Sequence, residues 1–362
     1  MDPNHAAPNR REFVRAAAGS ALAASHAGAT AKTLDPLTPG IKISLQIPTA
    51  FTDEDLNFAK QVGVGYVSIP TRGGTYANFS DFRQRVEAAG LKVANIGNMN
   101  VHNMPEVTLN LSGRDRKIEE YKQYLRDLAK AGIFYTTYAH MGTGIWSSPP
   151  ETTRGGAPAR AFRIETAKGH WDGRVFEAPL SHGRKYTEQE LWENYTYFIR
   201  QVAPLAQELG VRIGIHPDDP PVLGLGGVPR CIFGTFDGYV RALEIANSPN
   251  VGVCLCCGTW LEGGKQMGRS VTEAIREFAK LGKLWKIHLR NVTGPVPAFV
   301  ETFPDDGYGD LKQMMRTLVA ADFRGILIAD HVPQMLGDRR TGWAYSIGYV
   351  KALYDMARGE RG

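Results

Sequence analysis

Four residues with metal-binding side chains stand at the ends of four consecutive short apolar runs. His216 closes "VRIGIHP" (211–217), Cys256 lies in "VGVCLCCG" (251–258), His288 in "LWKIHLRNV" (284–292) and Asp330 in "GILIADH" (325–331). Two imidazoles, a thiolate and a carboxylate suit Zn2+, Fe2+ or Mn2+, and residue type alone does not choose among them. Each residue also has an ordinary explanation: a histidine bonded within a loop, a cysteine packed as a small hydrophobe, an Asp330-His331 pair capping a helix. Four such coincidences at four successive run ends favour one shared cation site.

A scaffold must bring these run ends together. Eight strand-like runs alternate with helical segments: 41–47, 66–72, 92–98, 133–140, 211–217, 251–258, 284–292 and 325–331. The first helix opens at Thr52 with acidic residues in its first turn, and "FSDFRQRVEAAG" is closed by Gly90. Ile118, Tyr121, Leu125 and Leu128 share one helical face, and another helix runs from about Thr187 to Gly210. Such alternation predicts a parallel sheet, and eight units predict an α/β fold, a (β/α)8 TIM barrel. An open doubly wound sheet usually carries a Gly-rich turn after its first strand, and "QIPTAFTDED" has none. The barrel is predicted to fill residues 32–362 as a single domain. A long insertion at 141–186, after strand four, shows little periodicity and reads as a loop. Strand ends are where barrels of this kind carry their active sites.

Composition narrows the function classes. The chain has 362 residues, is 43% hydrophobic and 22% charged, and carries a mild net charge of +5. Lys and Arg are scattered, which argues against nucleic acid as a partner. No apolar run approaches the roughly 18 residues of a membrane span. Three of the four cysteines (Cys231, Cys254, Cys256, Cys257) crowd one strand-like run, a poor basis for a disulfide framework. The first 31 residues differ from the rest. Arg10 and Arg11 precede Phe13, Val14 and an Ala-rich stretch ending in Ala29-Thr30-Ala31. This order resembles a twin-arginine export signal, which predicts removal of residues 1–31 and a periplasmic location. That route exports folded, cofactor-loaded proteins, which suits a thiolate ligand. A homo-oligomer is compatible with this reading.

The motifs resemble the mannonate dehydratase family. The likeness is carried by "RDRKIEEYKQYLRDLAKAGI", by "WENYTYFIRQVAPLAQELGVRIGIHPDDPP", by "CCGT", "HLRNV" and "FVETFPDDG", by the final "DH" and by the Arg-Gly-rich insertion after strand four. It covers nearly the whole chain after residue 31. It implies a metal-dependent barrel of the xylose isomerase-like group that converts D-mannonate to 2-keto-3-deoxygluconate, typically with Mn2+. The implied ligands are His216, Cys256, His288 and Asp330. Cys256 matches the family's Cys-x-Gly pattern through Gly258, with Cys257 as runner-up.

Loss of water from such a sugar acid requires a base for the C2 proton, an acid for the C3 hydroxyl and a cation to stabilise the enediolate. His331 is the first acid–base candidate, or else a bonding partner of the ligand cage. Asp219 is expected to orient His216 or to act as a base, and Asp218 likewise, on a loop stiffened by Pro217, Pro220 and Pro221. Arg290 is a candidate for the substrate carboxylate, unless it pairs with Asp305 or Asp306; Arg230 is a weaker one. Asn98, His102 and His140 are expected to line the sugar pocket. The chain departs from the family at Ile328-Ala329-Asp330-His331-Val332, where relatives read Arg-Pro-Asp-His-Gly. Ala344 also occupies the slot of a family tyrosine, which makes Tyr345, one position on, the catalytic candidate. Two other readings are a metal-dependent sugar isomerase or epimerase on the same barrel, and a non-catalytic exported sugar-binding protein. The usual isomerase ligands are Glu and Asp rather than Cys, and sugar-binding proteins usually have two lobes.

Overall fold

Residues 34–360 are described by a computed structural model; the export signal expected at 1–31 lies outside the described residues. Eight strands are β1 (Lys42–Gln46), β2 (Tyr66–Thr71), β3 (Lys92–Asn98), β4 (Tyr135–Ala139), β5 (Arg212–His216), β6 (Val251–Cys256), β7 (Leu284–Leu289) and β8 (Ile326–Ala329). They form one parallel sheet in the order β3-β2-β1-β8-β7-β6-β5-β4. β3 and β4 meet at the seam, where Thr136 Oγ1 donates to the Ile96 carbonyl at 3.1 Å. The result is a nearly closed (β/α)8 barrel.

The outer helices are α1 (Asp53–Gln61), α2 (Tyr76–Ala88), α3 (Arg114–Lys130), α4 (Glu188–Leu209), α5 (Phe236–Ala246), α6 (Val271–Lys280), α7 (Leu311–Ala320) and α8 (Arg339–Gly359). Their ends follow local chemistry. Thr52 and Thr187 cap α1 and α4 through capping boxes with Asp55 and Glu190, and α4 stops at Gly210 in the left-handed region, φ 71°. α2 begins three residues before the predicted Phe79, because Thr75 and Asn78 form a capping box that the apolar pattern does not show. The predicted stripe on α3 is buried, joined by Tyr124. Each large apolar side chain so buried contributes roughly 1.5–3 kcal/mol.

The insertion corrects the sequence reading. It folds as four strands (Ile145–Thr152, Pro158–Arg163, Lys168–Trp171 and Arg174–Phe176). With Asn291–Val292 and Ala298–Thr302 from the connection after β7 they make an antiparallel six-stranded sheet. This sheet reaches over the ends of the barrel strands. The Trp146 amide donates to the Asp219 carbonyl after β5, and Trp171 Nε1 donates to the Met99 carbonyl after β3.

Candidate metal centre

Strand register builds the site. Cys256 and His288 sit directly opposite each other on β6 and β7. His216 ends β5, and Asp330 stands one residue beyond β8. The His216 and His288 rings lie 5.0 Å apart. One ligand atom from each of His216, Cys256, His288 and Asp330 falls within 4.8 Å of all the others.

The donor set fits a divalent cation. His216 Nδ1 bonds the Pro217 carbonyl at 2.7 Å, so Nδ1 carries the proton and Nε2 keeps its lone pair. His288 Nδ1 is buried 3.5 Å from Asp330 Oδ1, with no other polar partner among the described residues. Burial depresses both imidazoles, His288 to about 3, leaving each in the neutral form that binds metal. Desolvation opposes the Asp330 charge, but the cationic neighbours His331 and Arg290 hold its carboxyl well below the usual carboxylate range. Burial pushes the Cys256 thiol upward, a bias that a coordinated cation reverses.

Beside these four residues lies a buried ionic cluster. Arg290 keeps 1% of its side-chain surface. Its Nε donates to Asp330 Oδ2 at 3.1 Å, Nη1 to Glu262 Oε1 at 2.7 Å, and Nη2 to Thr259 Oγ1 at 3.0 Å and Asp219 Oδ2 at 3.3 Å. Arg160, from the insertion sheet, donates to Asp219 at 2.5 Å, to Glu301 at 2.9 Å and to the Trp146 carbonyl at 2.8 Å. A Cβ on Gly258 would lie 2.3 Å from Arg290 Cγ. The glycine of "CCG" therefore lets this guanidinium pass. Removing one partner of a buried ion pair costs roughly 3–5 kcal/mol, because the charge left behind is uncompensated. Arg290→Met is expected to lose about that much in urea unfolding of the metal-free protein. A loss below about 1 kcal/mol would show the carboxylates to be satisfied without it.

Several predicted residues are placed differently. Arg290 has its donors committed to protein acceptors, so it neither meets a substrate carboxylate nor pairs with Asp305 or Asp306; Asp305 pairs with Arg154 at 2.7 Å. Arg230 braces backbone instead, donating to the carbonyls of Pro220 at 2.8 Å and Gly144 at 2.7 Å. Asp219 does not orient His216, whose proton goes to Pro217. Desolvation opposes the Asp219 charge, yet Arg160 and Arg290 hold it far below the usual range, which makes it a poor base. Asp218 is buried beside Arg230, and desolvation raises it to about 6. Asn98 Oδ1 accepts from the amides of Gly73 and Asn100, a loop-bracing role.

His140 points outward from β4 and packs among Tyr138, Tyr195, Phe198 and Phe233. It does not line the sugar pocket. Tyr345 Oη accepts from Arg154 at 3.3 Å, and its ring packs on Phe303, so its bonds lead to that pair rather than to the four ligands. Cys257 belongs to the apolar core. His102 lies near the four residues: its ring stacks on Trp171 at 5.3 Å, and His216 and Lys286 are near enough to add to the effect of burial, which lowers its pKa. His331 Nδ1 bonds Glu301 Oε1 at 2.7 Å, while 40% of its side chain remains exposed. Desolvation lowers its pKa, but Glu301 and Asp330 outweigh that and lift it to about 9.

The sequence reading missed Arg160, Thr259, Glu262 and Glu301. Glu301 sits in the quoted "FVETFPDDG" but received no role. Arg160 lay in a segment read as irregular.

Three comparisons bear on this site. A sequence model of the family described as D-mannonate dehydratase (UxuA) matches residues 64–170 and 171–358. The mannonate dehydratase of Streptococcus pneumoniae (strain 70585) is 30% identical over 302 residues, covering 78% of this chain and 79% of its own. The crystal structure of mannonate dehydratase from Streptococcus suis serotype 2 superposes with a TM-score of 0.77 at 24% identity, covering 90% of this chain and 95% of that one. An L-ribulose 3-epimerase shares the fold at a TM-score of 0.59 and 13% identity, over 89% of this chain and 97% of the other.

Proposed function

The chain belongs to the D-mannonate dehydratase (UxuA) family, and from that premise we propose that it is a metal-dependent hydro-lyase that dehydrates D-mannonate, or a close aldonate, to the 2-keto-3-deoxy acid. The observation that carries this reading is the meeting of His216, Cys256, His288 and Asp330 within 4.8 Å, at four barrel strand ends. These side chains would hold a divalent cation, Mn2+ in this reading, whose charge acidifies the C2 proton of a bound aldonate. A base takes the C2 proton, the C3 hydroxyl departs as water after gaining a proton, and the enol becomes the 2-keto group. His331, pinned through Nδ1 by Glu301, would offer Nε2–H to the departing hydroxyl. His102 and the Trp171 ring stacked on it wall the pocket. Arg290 and Arg160 hold Asp330, Asp219 and Glu301 in place instead of touching substrate.

The test pairs elemental analysis of protein purified without chelator with a panel of aldonates assayed for 2-keto-3-deoxy products. A stoichiometric divalent metal and turnover of D-mannonate are expected. Isomerisation of a keto-sugar, with no 2-keto-3-deoxy product from any aldonate, would replace the lyase with the isomerase reading. The arginine pair Arg10-Arg11 further supports a periplasmic site of action, reached after folding. Replacing both arginines with lysine is expected to leave the protein in the cytoplasmic fraction of its host, and unchanged periplasmic yield would refute that location.

A further inference from the structure

Cys254 stands two residues before Cys256 on β6, so both side chains point into the barrel. An irregularity in the β6–β7 pairing passes over Trp285 and sets Cys254 level with Lys286 and Cys256 level with His288. The result is a diagonal contact: Cys254 Sγ lies 3.4 Å from His288 Nε2. That nitrogen is opposite Nδ1, which faces Asp330 at 3.5 Å and has no other polar partner among the described residues.

Resting on the metal reading above, we propose that Cys254 is a positioning residue for the metal centre, its sulfur accepting the Nε2 proton of His288 and so leaving the Nδ1 lone pair free for the cation. Metal-binding imidazoles almost always donate their other N–H to a fixed acceptor, which sets both tautomer and ring angle. His216 uses the Pro217 carbonyl for this purpose. His288 uses a sulfur. The surroundings are polar: the hydroxyls of Thr137 and Tyr135 lie against Cys254 as well, and burial keeps the sulfur a neutral thiol. Lys286 Nζ itself donates to Thr137 Oγ1 at 3.4 Å. A polar string thus runs down the barrel from the metal centre through His288, Cys254, Thr137 and Lys286. Cys257 packs only within the apolar core, whereas Cys254, equally buried, turns its sulfur to His288.

The test uses the full chain, stripped of metal by chelation and titrated with Mn2+, and with Co2+ to read sulfur ligation. Cys254→Val, which keeps the bulk and removes the acceptor, is expected to weaken Mn2+ binding about 10–100-fold. Cys254→Ser, whose hydroxyl still accepts, is expected to retain most of the affinity. The cobalt–thiolate absorption should persist in both variants and vanish in Cys256→Ser. In the metal-free wild type, 15N NMR of the histidines should find His288 protonated at Nε2. Wild-type affinity in Cys254→Val overturns the proposal, and so does the opposite tautomer. Loss of the cobalt–thiolate band in Cys254→Ser overturns it differently, by making Cys254 a ligand. A wild type that takes up neither metal overturns the metal centre, and this role with it.

Discussion

In His288→Ala, bound metal and dehydratase activity are expected to vanish together. The ring supplies one of four converging donors, and it sits 5.0 Å from the second imidazole, with Cys256 directly opposite on the neighbouring strand. Alanine leaves three donors and a void that water fills poorly, because the ring's surroundings are buried. A catalytic cation contributes several kcal/mol of charge stabilisation in the transition state. At about 1.36 kcal/mol per tenfold, turnover should fall by roughly 10³-fold or more. His216→Ala should behave alike. Elemental analysis beside a rate assay decides the matter, since both quantities must fall in step. Full metal occupancy in His288→Ala would show that the ligand assignment is wrong, whatever the rate.

The convergence of His216, Cys256, His288 and Asp330 was legible in the sequence because each stands at the end of a strand whose period is plain, and parallel register then aligns strand ends. The same alternation could have been carried further. On β4, Tyr135 bonds Thr137 within the barrel, whereas Tyr138 packs outward against Tyr121 and Phe198. His140 shares the parity of Tyr138, so it was bound to face the helices. Asn98 and Arg230 misled for another reason. Their types fit a sugar site, but each sits where a loop has backbone groups to satisfy, and buried amides and carbonyls take precedence.

The ionic cluster was illegible for a deeper reason. Arg290 meets Asp219, Glu262, Glu301 and Asp330, residues separated by up to 111 positions along the chain. Arg160 joins them only because the insertion pairs with residues 298–302, an antiparallel match between distant segments. No local pattern announces such pairing. A reading by period finds strands and helices, then marks such a segment as irregular when its strands are short and broken by Gly and Pro. The consequence is functional. The arginine that looked like a substrate clamp is consumed by the scaffold, and Asp219, one of the two carboxylates that looked like bases, is consumed with it.

With Arg290 and Asp219 occupied, His331 is the proposed proton donor, and His331→Asn is expected to keep its metal while losing turnover by about 10²–10⁴-fold, the usual share of a general acid–base group. The geometry separates the two effects. Asp330 turns inward to the metal centre, and the next residue turns its ring to Glu301, 2.7 Å away. Asparagine can keep a hydrogen bond to Glu301 but holds no transferable proton at neutral pH. Glu301 is itself fixed by Arg160 and Arg290, so the ring's anchor survives the substitution. Glu301→Gln gives the complementary case: the imidazole stays but loses its main anionic partner, and the rate should fall by less than in His331→Asn. Metal content measured on the same preparations must stay at the wild-type level in both. Wild-type turnover in His331→Asn would mean that the proton comes from elsewhere and that His331 serves only to hold the loop after β8 against the insertion sheet.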